Sequence, residues 1–164
     1  MLRLSKKADY ALIAMKHLAQ KAGAQSTSAR EIAEQYDIPI ELLAKVLQRL
    51  VRTGLLVSTQ GTRGGYMLSR PPKAISVVDV VQAIDGPFTV TACSTENSGC
   101  DQYSKCSVRD PLWQIRERIA AALATVSVAE LAADHITGEG VKPETETVSA
   151  PVAIMRRARM AADL

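Results

Sequence analysis

Apolar positions in the first part of the chain recur at steps of three and four, the signature of helices buried on one side. Leu12, Met15, Leu18 and Ala19 keep that spacing behind a capping Ser5, which predicts a helix over 5–22. After a loop at 23–27, Ser28-Ala29-Arg30-Glu31 forms a capping box and opens a short helix to about Tyr36. Asp37-Ile38-Pro39 breaks it, and Pro39 suits the first turn of a new helix, where its missing N–H would be unpaired anyway. That helix runs from about Ile40 to Thr53, with Gly54 placed to close it in a left-handed conformation. Leu43, Val46, Leu47 and Leu50 share its apolar face, and Glu41, Lys45, Gln48, Arg49 and Arg52 point away.

The period then changes. Leu55 to Thr59 reads as a strand, 60–65 as a glycine-rich turn, and Tyr66 to Ser69 as the returning strand, stopped by Pro71-Pro72. Helix, short helix, helix and hairpin is the element order of a winged helix-turn-helix, so the expected fold is mainly α with a two-stranded β-wing. Ser76 starts another capped helix through Ile84, ended by Asp85-Gly86-Pro87. A loop at 88–106 holds all three cysteines. Asp110, as cap, and Pro111 then begin a long helix in which Leu112, Ile115, Ile119, Ala122 and Val126 make a heptad-like seam suited to pairing with a second helix. A short helix is expected over 127–133, and a disordered tail follows, with 152–162 as a candidate basic helix. The expected organisation is a winged-helix domain at 1–73, a cysteine loop with dimerisation helices at 74–135, and the tail at 136–164.

Charge sharpens this picture. Residues 1–73 carry a net +7 and residues 74–164 a net −4, which fits a head that faces a polyanion. On the outward face of the 40–53 helix, Lys and Arg suit phosphate or guanine and Gln suits adenine, so this face is the candidate for a DNA major groove. At the hairpin tip Gly61, Gly64 and Gly65 permit close backbone approach to another surface, and Arg63, preceded by Gln60, suits a narrow minor groove. A nucleotide-phosphate loop is the alternative, but no Lys-Ser/Thr pair and no helix follow the glycines. Ser5, Lys6 and Tyr10 are candidates for backbone contacts that set register. The N-terminus lacks the apolar run of a signal peptide and no segment has the apolar length of a bilayer span, so a soluble, cytoplasmic protein is expected. No catalytic triad, paired acids or nucleotide motif stands out, and an enzyme is not expected.

Cys93, Cys100 and Cys106 are spaced C-x6-C-x5-C. In a reducing compartment such a group points to metal or redox chemistry. Thiolates are soft donors suited to iron–sulfur clusters, zinc or copper. The spacing is wider than in zinc ribbons, and three thiols leave one position for a weaker ligand, which suits a labile sensor. Unligated thiols or one reversible disulfide remain open on this reading. His17 and His135 read as structural or exposed.

The opening Leu-Arg-Leu-Ser-Lys with Tyr10-Ala11, the wing Gly61-Thr62-Arg63-Gly64-Gly65-Tyr66, Val80 through Asp85, and the cysteine loop with Leu112-Trp113 resemble the IscR and NsrR (BadM-type) regulators over roughly residues 1–135. Members that control the SUF cluster-assembly system look most similar. The resemblance implies a homodimer on a palindromic duplex operator, paired through the long helix, acting as a repressor. It implies an iron–sulfur cluster on Cys93, Cys100 and Cys106, with nuclearity open between the 2Fe-2S and 4Fe-4S types. IscR-like members take a fourth ligand from a His three residues after the last cysteine. Here that position is Arg109, which has no lone pair to give. NsrR-like members use an N-terminal Asp from the other subunit, which matches Asp9. Asp110 and Glu96 are rival acids. Two other functions stay open: a cluster-free or zinc-bound thiol-redox regulator of the same fold, and a small iron–sulfur electron carrier.

Overall fold

The computed structural model describes residues 4–21, 26–61, 64–90, 101 and 103–133. Its elements run α1 (Lys6–Gln20), α2 (Ala29–Gln35), α3 (Ile40–Arg52), β1 (Leu56–Thr59), β2 (Gly65–Leu68), α4 (Val77–Asp85), α5 (Arg109–Thr125) and α6 (Val128–Ala133), with single 3-10 turns at Pro72–Ala74 and Tyr103–Lys105. This is the expected helix-dominated winged helix-turn-helix.

α1 lies at the centre, against α3, α4 and α6. Ala8, Ala11 and Ala14 are fully buried along it, and such small side chains let neighbouring helices approach closely. Met15 and Leu18 fill the remaining space, with Leu43, Leu47 and Leu50 of α3 and Val80 of α4 in the same core. Val128 of α6 is buried there too, so the chain beyond α5 returns to the head. Ser28 accepts from the Glu31 N–H at the start of α2. Asp37, with φ of 51°, supplies the left-handed step between α2 and α3. Pro39 takes the cap position of α3, just outside it, and its carbonyl accepts from the Leu42 and Leu43 N–H groups. Gly54 is left-handed, as the sequence required.

β1 and β2 pair antiparallel, with Leu56 opposite Leu68 and Thr59 opposite Gly65. A feature not legible in the sequence extends this hairpin. Thr27, just before α2, bridges to Tyr66, so a third piece of extended chain lies along β2.

A second such joint lies beneath α5. Ser76 and Ser127 form an antiparallel bridge, with the Val77 N–H donating to Val126 and the Val128 N–H to Ile75. Each serine also begins a reciprocal cap, Ser76 with Asp79 and Ser127 with Glu130. The C-terminal end of α5 is thereby fastened to the head.

The start of α5 corrects one expectation. The helix begins at Arg109 behind Val108, without a side-chain cap, and Asp110 lies inside the first turn. The preceding chain reaches α5 already near helical geometry at Val108, so no extended cap residue is formed. Asp110 instead pairs with the Arg109 Nε at 2.9 Å. α5 has no fully buried residue. Of the expected seam, Leu112, Ile119 and Val126 are half-buried, whereas Ile115 and Ala122 face solvent. Trp113 and Ile115 are both exposed, and the Arg116 guanidinium lies 4.5 Å from the Trp113 ring centroid. The expectations for most of the cysteine loop and for the tail at 136–164 lie outside the described residues.

Candidate nucleic-acid interface

Leu43, Val46, Leu47 and Leu50 anchor α3 to the core, and the same rotation turns Glu41, Lys45, Gln48, Arg49 and Arg52 outward. All five outward residues are exposed. They are not equivalent. The Arg49 Nε donates to the Ala83 carbonyl at 2.9 Å, which ties α3 to α4 and holds that guanidinium in one place. Lys45 and Arg52 flank it along a cleft of about 240 Å³, and Lys7 closes the same cleft from α1. Leu42, Val46 and Ile84 form its apolar lining. Four cations from two helices thus face one groove. Lys7 was missed in the sequence, where Lys6 was chosen. The adjacent pair was visible, but only the rotation of α1 against α3 decides which lysine lines the cleft.

Ser5 does more than cap α1. Its Oγ accepts from the Ala8 N–H and donates to Asp85 Oδ1 at 2.5 Å, while its own N–H donates to Asp85 Oδ2. The start of α1 is thereby pinned to the end of α4. Tyr10 is half-buried against the core, and Lys6 is exposed.

At the wing, Gln60 and Gly61 are exposed, and the Gly64 N–H closes the turn onto the Gly61 carbonyl at 2.9 Å. Gly61 has φ of 118°, which an L side chain rarely adopts. Arg63 lies outside the described residues. Gly64 and Gly65 also lie close against the protein's own backbone. A methyl group at Gly64 would stand 2.5 Å from the Thr59 carbonyl oxygen, and one at Gly65 would stand 2.5 Å from that of Thr27. The close approach that requires glycine at these two positions is to the protein's own backbone.

Of the cysteines, Cys106 is described. It is half-buried and free of any disulfide, one residue after the 3-10 turn and three before α5. Asp9 is exposed in the first turn of α1, and Asp110 is exposed beside Arg109. Cys93, Glu96 and Cys100 lie outside the described residues, and no metal-binding group is assembled among the described ones.

His17, on the far side of α1, is 2 % exposed. Its Nδ1 lies 3.2 Å from the Tyr36 hydroxyl, and Nε2 is buried without a hydrogen-bond partner among the described residues. Burial, and then the Lys21 charge, lower its pKa below 6.5, with Glu31 opposing. The folded chain therefore binds this proton less readily than the unfolded chain. The resulting stability is present above the unfolded value near 6.5 and is lost as pH falls below it. Urea unfolding at pH 7.5 and 5.5 should show the loss, and a His17→Leu variant should show less of it. Equal pH dependence in the two proteins would assign the effect to other groups.

Residues 4–134 match the Rrf2 family model, described as iron-dependent transcriptional regulators. The chain belongs to this family. It is a DNA-binding transcriptional regulator and not an enzyme. Among its relatives, the HTH-type transcriptional regulator IscR of Yersinia pseudotuberculosis is 32% identical over 131 residues, 79% of each chain. Among solved structures, CymR of B. subtilis, titled the global cysteine regulator, aligns with a TM-score of 0.66 at 27% identity, covering 80% of this chain and 97% of that one. IscR of T. potens aligns with a TM-score of 0.65 at 26% identity, covering 86% and 93%. No helix among the described residues is long and apolar enough to cross a membrane.

Proposed function

We propose that this regulator is a homodimeric repressor that binds a palindromic duplex operator with an affinity set by an iron–sulfur cluster on Cys93, Cys100 and Cys106. The observation that supports the DNA part best is the convergence of Lys7, Lys45, Arg49 and Arg52 on one groove. In this reading Glu41, Gln48 and Arg49 face base edges, and Lys6, Lys7, Lys45 and Arg52 face phosphates. Gln60, Gly61 and Arg63 form the wing tip. Ser5 and Tyr10 hold the end of α1 in register. Residues 1–73 act as the head and 74–135 as the sensor and dimer arm. α5 has no fully buried residue and leaves Trp113 and Ile115 exposed, so its surface is open to a second copy.

The donor set fits the cluster. Three thiols are the soft ligands that iron–sulfur chemistry takes, and Cys106 is neither buried away nor in a disulfide. Bound there, the group would supply redox and ligand sensitivity. What this chain supplies is a lever, because Cys106 sits at the foot of α5 and the other end of that helix is fastened to the head at Ser127. Asp9 from the second copy is the preferred fourth ligand. Asp110 is the alternative, although its carboxylate is engaged by Arg109.

The likeness to the B. subtilis cysteine regulator favours a second reading, in which the same thiols respond to oxidation without a cluster. The family assignment sets the electron-carrier alternative aside.

Anaerobically purified protein should contain iron and acid-labile sulfide, and Cys106→Ala should lose both. Titration of the protein's own upstream DNA should show affinities differing about 5–150-fold between metal-loaded and metal-free protein. Colourless, sulfide-free protein whose affinity follows thiol oxidation would support the second reading. An affinity indifferent to both metal and thiol state would overturn both.

A further inference from the structure

Thr27 is only 2 % exposed, and its backbone makes both hydrogen bonds of a bridge to β2. The Thr27 N–H donates to the Tyr66 carbonyl at 3.1 Å, and the Tyr66 N–H donates to the Thr27 carbonyl at 2.8 Å. One residue further on, Ser28 caps α2, the first helix of the helix-turn-helix. One residue earlier along β2, Gly65 lies so close that a methyl group there would stand 2.5 Å from the Thr27 carbonyl oxygen and 2.7 Å from its carbonyl carbon. Carbon atoms need well over 3 Å, so the strand lies nearer to this segment than any side-chain-bearing residue would allow.

Gly65 is also the end of the paired hairpin. Its N–H donates to Thr59 Oγ1 at 3.2 Å across the strands, and beyond this rung the turn is closed by the Gly64 to Gly61 hydrogen bond. The contact with Thr27 therefore joins the head to the wing at the base of its tip.

We infer that Gly65 is a positioning residue for DNA recognition: its missing side chain seats β2 on the Thr27 backbone and so fixes the reach of the wing tip relative to α3. The inference rests on the DNA-binding reading above and adds which residue sets the wing's geometry. In Gly65→Ala, strand and segment must separate by roughly 1 Å to restore a normal contact. The minor groove is only about 6 Å wide, so a tip displaced on that scale enters it poorly. The core contacts that seat α3 are untouched.

The test is a double-mutant cycle on the intact protein with its own upstream DNA, using Gly65→Ala, Arg63→Ala and the pair. Each single change should weaken binding about tenfold, and the pair should also weaken it about tenfold, because a tip already withdrawn has no Arg63 contact left to lose. Hydroxyl-radical footprints of Gly65→Ala should lose minor-groove protection at the flanks, while protection of guanine N7 from dimethyl sulfate in the major groove is kept. A multiplicative loss of about a hundredfold in the pair, or equal weakening of all protections, would overturn the inference. Amide hydrogen exchange gives a readout without DNA. In Gly65→Ala the Thr27 and Tyr66 amides should exchange faster while those of α3 do not, whereas Gly64→Ala should leave the Thr27–Tyr66 bridge protected. Unchanged exchange at both amides in Gly65→Ala refutes the inference. An Arg63→Ala variant that binds like the parent would instead refute the wing–DNA reading while the exchange result still judges the clamp. If Gly65→Ala does not fold, exchange in the parent decides. Thr27 and Tyr66 should gain protection together with residues 60–64 when DNA binds, and no gain at the bridge overturns the coupling.

Discussion

Removing both Lys45 and Arg52 as alanines is expected to weaken operator binding by about 60-fold near 0.1 M salt. The figure comes from counterion release. Each phosphate neutralised contributes about 0.9 to the slope of log affinity against log salt, so two lost contacts remove about 1.8 over the decade below 1 M. The slope itself should fall by that amount, which separates lost phosphate contacts from a folding defect. These two cations are chosen because both are exposed and both line the α1–α3 cleft. Arg49 would be a poor choice for this measurement, since its Nε also holds the Ala83 carbonyl and its loss would loosen α4 from α3. Fluorescence anisotropy across a salt series is the measurement. Parallel lines for parent and variant would place the DNA elsewhere.

A second large effect is expected in the core. Leu47→Ala should lower the free energy of unfolding by about 2–5 kcal/mol, through lost burial and the cavity left behind. Leu47 is fully buried in a cluster that includes Leu43 and Leu50 of α3 and Met15 of α1, so no solvent can fill the gap and the tightly packed helices can relax only in part. The denaturation midpoint in urea should fall with the slope unchanged, as for a loss of stability without a change in exposed surface. A loss below about 1 kcal/mol would mean that α3 is packed more loosely than its burial indicates. DNA binding should fall with it at temperatures where part of the chain unfolds, and should recover on cooling. The Lys45 and Arg52 variant should show no such recovery.

Both predictions concern α3, and much of α3 could be read directly from its sequence. The three-and-four spacing of Leu43, Val46, Leu47 and Leu50 demands a buried stripe, and the outward set then follows from helical geometry alone. The hairpin was equally open, because its change of period and its glycines are local signals. The spacing of the three cysteines was also visible, since it is a statement about residue types and order. The cap at Asp110 was misjudged for the opposite reason. Asp-Pro is a common helix start, but the chain enters α5 soon after the turn at Tyr103–Lys105 and is already near helical geometry at Val108.

What the amino-acid order determined by itself was therefore periodic and local: which faces are apolar, where helices are capped, and which residue types stand ready for phosphate or metal. Tertiary structure alone decided the pairings between segments far apart in the chain. Ser5 meets Asp85, Thr27 meets Tyr66, Ser76 meets Ser127, and Lys7 rather than Lys6 joins the cations of α3. The physical reason is range. A helical or strand period constrains neighbours a few residues apart, whereas a contact across tens of residues is set by how whole elements rotate and seat on a shared core, which no single position specifies. The glycine at 65 shows the difference most plainly: its lack of a side chain was legible at once, and the backbone that makes use of that lack was found only when the fold brought Thr27 beside it.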